Sequence, residues 1–191
     1  NYGSALQTFA TQSYLESKGH TVEIIDYYPY RMRNYGSLSQ LYRDAKPFHK
    51  SVAKSAAAAF VKFWSFKKLE KAFAPFSREL IKKTRKFESN EDLMQNPPEA
   101  DIYCTGSDQV WNPMQPYLIE PYFLTFVKDN NAIKVSYAAS AGISRLLPSE
   151  EKMFKLWIEQ YDSVSVREEE LKNYLGTFVN KKITRVADPS F

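Results

Sequence analysis

The chain has 191 residues, 43% hydrophobic and 25% charged, a balance that suits one ordinary globular domain and argues against a disordered chain. One cysteine, Cys104, and two histidines, His20 and His49, exclude a disulfide framework and a cysteine-built zinc site, argue against a histidine-rich one, and suit a reducing, cytoplasmic setting. The net charge of +4 is uneven: residues 1–42 are neutral, residues 43–87 carry +10, and residues 88–191 carry −6.

The longest apolar run, Ala56 to Val61, is far short of the ~18–20 residues of a membrane-spanning helix. Only six glycines occur, and neither G-x-G-x-x-G nor G-x-x-x-x-G-K-[ST] is present, so an ordinary dinucleotide or P-loop site is unsupported. The opening Asn1-Tyr2-Gly3 has no initiator methionine and no leader pattern, and reads as the interior of a longer protein cut at a turn.

Helical spacing of Leu6, Phe9, Ala10, Tyr14 and Leu15 predicts a helix over Ser4–Ser17, with Gly19 just past its end. Thr21–Tyr28 reads as a strand, stopped by Pro29. Helix, glycine stop and strand make the second half of a β-α-β unit, whose first strand is expected before Asn1. Residues 38–87 read as a basic helical insert. Val52, Ala56, Phe60 and Trp64 share a face, Phe63, Phe66, Leu69, Phe73 and Phe76 continue an apolar pattern towards Pro75, and lysines fall between. Arg78–Phe87 reads as either a short strand or irregular chain.

Alternation then resumes. It runs as a short helix Asn90–Met94, a strand Asp101–Thr105 and a short extended or helical piece Tyr122–Val127. A strand Ile133–Ala138 follows, then a helix Ser149–Gln160 with Ser149 as N-cap and a strand Asp162–Val166. A helix Glu169–Leu175 ending at Gly176 and a strand Ile183–Ala187 complete the pattern. Cys104, inside an apolar strand, reads as an inert core thiol, and Trp111 as an anchor for the loop after Asp108. The pattern predicts an α/β, Rossmann-like, mostly parallel sheet with helices on both faces.

In such sheets ligands bind beyond the carboxyl ends of the strands. The polar clusters at those ends are Asn1-Tyr2-Gly3-Ser4, Gly106-Ser107-Asp108-Gln109, Ser140 and Ser165-Val166-Arg167-Glu168, with Asp188 a fifth candidate. Small residues at helix starts offer N–H donors to an anion. Arg167 is a fork of donors for a carboxylate or phosphate, and Asp108 can take a proton from a hydroxyl. Such a set fits group transfer from an anionic donor to a hydroxyl acceptor.

The ordered segments NYGSALQ (Asn1–Gln7), VEIIDY (Val22–Tyr27), GSDQVWNP (Gly106–Pro113), YFLTF (Tyr122–Phe126), VSYAASAG (Val135–Gly142), SVSVRE (Ser163–Glu168) and ADP (Ala187–Pro189) resemble the polysaccharide pyruvyl transferase family. The resemblance implies two Rossmann-like domains arranged as in GT-B glycosyltransferases, this chain being the first and the second lying beyond Phe191. It implies transfer of the enolpyruvyl group of phosphoenolpyruvate to a sugar of a cell-surface polysaccharide, free or lipid-linked, as a ketal, with no metal or cofactor. Carried onto this chain, Asn1–Ser4 and Gly106–Asn112 line the cleft and Ser140 and Arg167 face it. A histidine and part of the donor site come from the second domain, so this half alone is expected to be inactive.

Three further readings stand beside it. One is a nucleotide-sugar glycosyltransferase of the same shape. Another is a non-enzymatic polyanion-binding module, for which no nucleic-acid reader pattern speaks. The third concerns residues 43–87, which read first as a solvated helical arm over the sheet or a contact with the second domain, and otherwise as a peripheral contact with the inner face of a membrane.

Overall fold

The computed structural model describes residues 2–28, 36–48, 51–115, 119–128 and 131–190. Helix α1 (Tyr2–Ser17) begins two residues before the expected start and takes in much of the segment read as a turn. Its other end forms as the sequence suggests. Gly19 sits at φ +89°, and the amides of Gly19 and His20 bond back to the carbonyls of Glu16 and Leu15 at 2.9 and 3.3 Å. Only a residue without Cβ takes that left-handed position cheaply.

Strand β1 (Ile24–Tyr27) pairs in parallel with β2 (Lys83–Phe87), forming a two-stranded sheet. Between them lie α2 (Leu38–Ala45) and α3 (Val52–Glu79). Ser37 caps α2 by accepting the Gln40 amide at 3.3 Å. The alanine run 56–59 supplies the helix propensity that carries α3 through 28 residues, and the helix continues past Pro75 to absorb Arg78 and Glu79. Helix α1 is bolted to this part by Gln12, whose amide donates to the Leu80 carbonyl at 3.1 Å and accepts from the Lys82 N–H at 3.0 Å.

After α4 (Asn90–Gln95) come β3 (Ile102–Thr105), β4 (Ile133–Ala139), α5 (Pro148–Ile158), β5 (Ser163–Val166), α6 (Glu169–Leu175) and β6 (Ile183–Arg185). Their strands form one parallel sheet in the order β3-β4-β5-β6. The segment after Ile119 is a 3-10 helix, Glu120–Phe123, followed by turns.

Two local expectations are corrected. Ser149 is not the N-cap of α5. Leu147 is, with Pro148 in the first helical position and the Glu150 carboxylate accepting the Leu147 N–H at 2.7 Å. Proline's fixed φ and missing N–H fit that first position, so the helix starts there. Nor is Cys104 a core thiol. Alternation along β3, an edge strand, turns Tyr103 and Thr105 inward and leaves Cys104 exposed beside Ile102, itself 44% exposed.

The core is an aromatic block that fixes the loop after β3. Trp111, fully buried, stacks on Phe123 with ring centroids 4.9 Å apart and meets Tyr161 edge-on. The Trp111 Nε1–H, the Thr105 hydroxyl and the Tyr161 hydroxyl all donate to the carbonyl of Tyr122. Trp111 thus anchors the segment that carries Asp108, as its place in the sequence suggests.

Strand β4 ends irregularly. Its register with β5 shifts between Ser136 and Ala139, and the fully buried Ala138 sits at φ +55°. An extra residue in the ladder bends the strand end towards the rim. The parent already carries the strain of a left-handed alanine, so what valine adds is β-branching at that position and volume in a packed core, the latter costing ~1–3 kcal/mol. Ala138→Val is therefore expected to destabilise the protein by about 2 kcal/mol in urea unfolding. An unchanged midpoint would show that the strand end tolerates a β-branched side chain.

Candidate active site

All four strands of the larger sheet run the same way, so the segments leaving β3, β4, β5 and β6 meet on one rim. Backbone bonds tie these segments together. The Ser140 N–H donates to the Asp108 carbonyl, the Trp111 N–H to the Ser140 carbonyl and the Arg167 N–H to the Ala139 carbonyl, each at 3.1 Å. Gly142 makes close packing possible here. It sits at φ +61°, and a Cβ there would fall 2.5 Å from Cδ of Gln109.

The first turns of α1 close the rim from the other side. Gly3, Ser4 and Gln7 of that helix, with Asp108, Arg167, Asp188 and Ser190, line a polar cleft of about 210 Å³. Ser4 Oγ donates to Asp108 Oδ2 at 2.6 Å, and Asp108 Oδ1 accepts the N–H of Gln109 at 2.7 Å. Gln7 Nε2 reaches Ser107 Oγ at 2.6 Å and Asp188 Oδ2 at 2.5 Å. A second, mostly apolar groove of about 320 Å³ lies between the 3-10 helix and α5, along Ile119, Met153 and Trp157, with Glu120 and Glu150 as its charged lining residues. The Glu150 carboxylate is committed to the Leu147 N–H, so the smaller cleft, with its converging polar groups, is the candidate site.

Asp188 is the hub. Besides Gln7 it accepts from Ser107 Oγ at 2.8 Å, Arg167 Nη1 at 3.0 Å, and Ser190 N and Oγ at 2.9 and 2.5 Å. Burial works to raise its pKa, but hydrogen bonds from Ser190, Ser107 and Arg167 outweigh it and hold the carboxyl well below the usual carboxylate range. Arg167 is pinned on a second side, its Nε donating to Glu168 Oε1 at 3.1 Å, an oxygen that also accepts Ser140 Oγ at 2.8 Å. The other oxygen, Glu168 Oε2, is shielded from solvent and accepts no hydrogen bond among the described residues. Two carboxylates therefore hold the Arg167 fork by Nε and one Nη1 proton, and Nη2 makes no hydrogen bond among the described residues. About a third of the side chain stays exposed, so its remaining N–H groups are available to a ligand.

The residues singled out in the sequence divide by position. Gly3, Ser4, Asp108 and Arg167 line the cleft, and Ser107 lies buried beneath it. Glu168, at the N-cap of α6, and Ser140 brace Arg167 from behind. Gly106 is half-buried in the chain leaving β3. Gln109 and Asn112 instead shape the loop, the Asn112 amide donating to Gln109 Oε1 at 3.3 Å and its carbonyl accepting the Met114 N–H at 2.9 Å. Ser165 is a strand-to-strand tie, its hydroxyl donating to the Ser136 carbonyl at 2.7 Å. Asn1 and the side chain of Tyr2 lie outside the described residues. Gln7 and Ser190 were not foreseen. The one signal for Gln7 is a run of polar residues, Gln7, Thr11 and Gln12, on a helical face that turns out to be buried.

Among the described residues no group of three or more His, Cys, Asp or Glu side chains is placed to hold a metal ion, and no helix is long and apolar enough to cross a membrane.

The family model for polysaccharide pyruvyl transferase matches residues 1–191. No curated protein and no solved structure matches the chain. The chain belongs to the polysaccharide pyruvyl transferase family, a family of transferases.

Proposed function

We propose that the protein takes part in moving the enolpyruvyl group of phosphoenolpyruvate onto a sugar of a cell-surface polysaccharide or of its lipid-linked precursor, closing a pyruvate ketal. The observation that carries this reading is the shared cleft, in which a pinned guanidinium, a carboxylate and the positive end of the α1 dipole line one space.

In this reading a proton adds to the methylene carbon of the donor and leaves its neighbour, the phosphate-bearing carbon, electrophilic. A sugar hydroxyl attacks that carbon and gives its proton to Asp108. The carbon–oxygen bond to phosphate breaks, and a second hydroxyl adds to the same carbon to complete the ketal, its proton passing to the released phosphate. Arg167 and the first turn of α1 hold donor oxygens. Asp108, which already orients Ser4, holds the acceptor hydroxyl. The proton donor is assigned to none of the described residues.

The charge balance adds a constraint. One guanidinium stands among three carboxylates, Asp108, Asp188 and Glu168. That set suits hydroxyls better than a donor carrying both phosphate and carboxylate. Further cations must face the cleft from elsewhere, which is how a second, GT-B-like domain would contribute. The site is proposed to work at the cytoplasmic face of the cell envelope, where lipid-linked sugars are accessible.

Calorimetric titration of protein that also carries the second domain, with phosphoenolpyruvate and separately with nucleotide sugars, tests the reading. Binding of phosphoenolpyruvate with none of the nucleotide sugars is expected. The opposite pattern would replace it with a glycosyltransferase. In protein that turns over, Asp108→Asn is expected to lower the rate of acceptor-dependent phosphate release by about 10²–10⁴-fold, with donor affinity retained. Unchanged turnover would remove Asp108 from its role.

A further inference from the structure

We infer that the outward face of α3 is a docking surface for an anionic lipid bilayer. This goes beyond the transfer reaction and does not rest on it. At about 100° per residue, Ala53, Phe60, Trp64, Lys67 and Lys71 fall within about a 60° arc of the helix. Ala57, Val61 and Lys68 border that arc. Phe60, Val61 and Trp64 are 55%, 65% and 60% exposed, far more than core positions allow. Phe60 and Trp64 contact edge to face at 6.1 Å, so the two rings form one exposed apolar patch. A different side of α3 packs: Ser55 and Ala59 are buried, and Phe63 and Phe66 are half-buried.

The face is ordered along its length, with small and aromatic residues in the first half and lysines in the second. Lys67 pairs with Glu70 at 2.7 Å, whereas Lys68 and Lys71 make no ion pair among the described residues. Residues 43–87 hold the excess of positive charge, +10, while residues 88–191 are acidic. The partner this charge complements is anionic, and the exposed indole and phenyl rings require that it also have an apolar interior. An anionic membrane surface meets both demands, since rings enter the acyl boundary while lysines stay among the headgroups. The helix lies on the surface and does not span it: no helix among the described residues is long and apolar enough to cross.

Flotation with vesicles of phosphatidylethanolamine and phosphatidylglycerol, against pure phosphatidylcholine, tests the inference. Binding to the anionic vesicles alone is expected, weakening as salt rises. Replacing Lys67, Lys68 and Lys71 with glutamine is expected to weaken binding on the order of 100-fold. Phe60→Ser with Trp64→Ser is expected to abolish stable association. Brominated lipids should quench Trp64, with Trp64→Phe removing the quenched signal and leaving those of the buried Trp111 and the half-buried Trp157. All these side chains are exposed, so thermal midpoints should hold, and donor titration of the lysine variant should match the parent even if the transfer reading fails. The inference is overturned if the variants float like the parent, if quenching is absent, or if the chain binds DNA but neither vesicle.

Discussion

Replacing Asp188 with alanine is expected to destabilise the protein by about 3 kcal/mol, the lower end of the range for breaking a buried charged pair. For a chain of this length that corresponds to a fall of roughly 6–12 °C in thermal midpoint. The cause is the number of groups that depend on one carboxylate. Its loss leaves the Gln7 amide, the Ser107 hydroxyl, the Ser190 amide and hydroxyl, and one Arg167 proton without their acceptor. Asp188 is 8% exposed and Ser107 3%, so water cannot freely take its place there. Arg167 remains a third exposed and keeps Glu168, which is why the lower end of the range applies. Asp188→Asn keeps the shape and one acceptor oxygen and should recover part of the loss.

The same carboxyl gives the protein an acid limit. Its folded pKa lies below the ordinary value, so the deprotonated form is the one that folding favours. That stabilisation is complete above the unfolded pKa near ~3.9 and is lost as pH falls through the folded value. Thermal melts at pH 7, 4 and 3 should therefore bring the parent and the asparagine variant together as pH drops. Parallel curves at every pH would show that Asp188 is not the group responsible.

This hub was only partly legible in the sequence. Strand ends can be read from periodicity and turn residues, which is how Asp108, Arg167 and Asp188 came to notice as members of one rim. Periodicity says nothing of partners. That β2 joins β1 after a 28-residue helix, or that Gln12 ties α1 to the chain before β2, depends on contacts between distant segments. Gln7 was missed for the same reason: a glutamine among the polar residues of a mixed helix looks like a surface residue until its helix is laid across the strand ends. The bulge at Ala138 had no signal, because alanine carries no preference for the left-handed region it occupies. Cys104 was misplaced because an apolar strand was assumed to be covered on both faces, whereas β3 lies at the edge of its sheet. Of the stretch 38–87 read as a helical insert, α2 and α3 are helical, since alanine content and apolar spacing are local properties, whereas 83–87 form β2.

Arg167→Ala is expected to have the opposite balance of effects from the Asp188 change. Loss of a charge-assisted contact to a donor oxygen costs ~1.5–3 kcal/mol, or about 10–150-fold in affinity for phosphoenolpyruvate. Its effect on the fold should be smaller. Asp188 would keep four of its five donors, from Gln7, Ser107 and Ser190, and Glu168 Oε1 would keep the hydroxyl of Ser140. Lysine should not rescue binding. In the parent, Nε and one Nη1 proton are committed to Glu168 and Asp188, and the proposed contact with the donor falls to the rest of a rigid fork. An ammonium placed there would be drawn to those same carboxylates and would offer no second, fixed direction. The two alanine variants should therefore cross: Asp188→Ala lowers the melting temperature most, Arg167→Ala lowers donor affinity most. If Arg167→Ala instead lost stability as heavily as Asp188→Ala and bound phosphoenolpyruvate as well as the parent does, the arginine would be a brace for the rim, and the donor would have to be held by other groups.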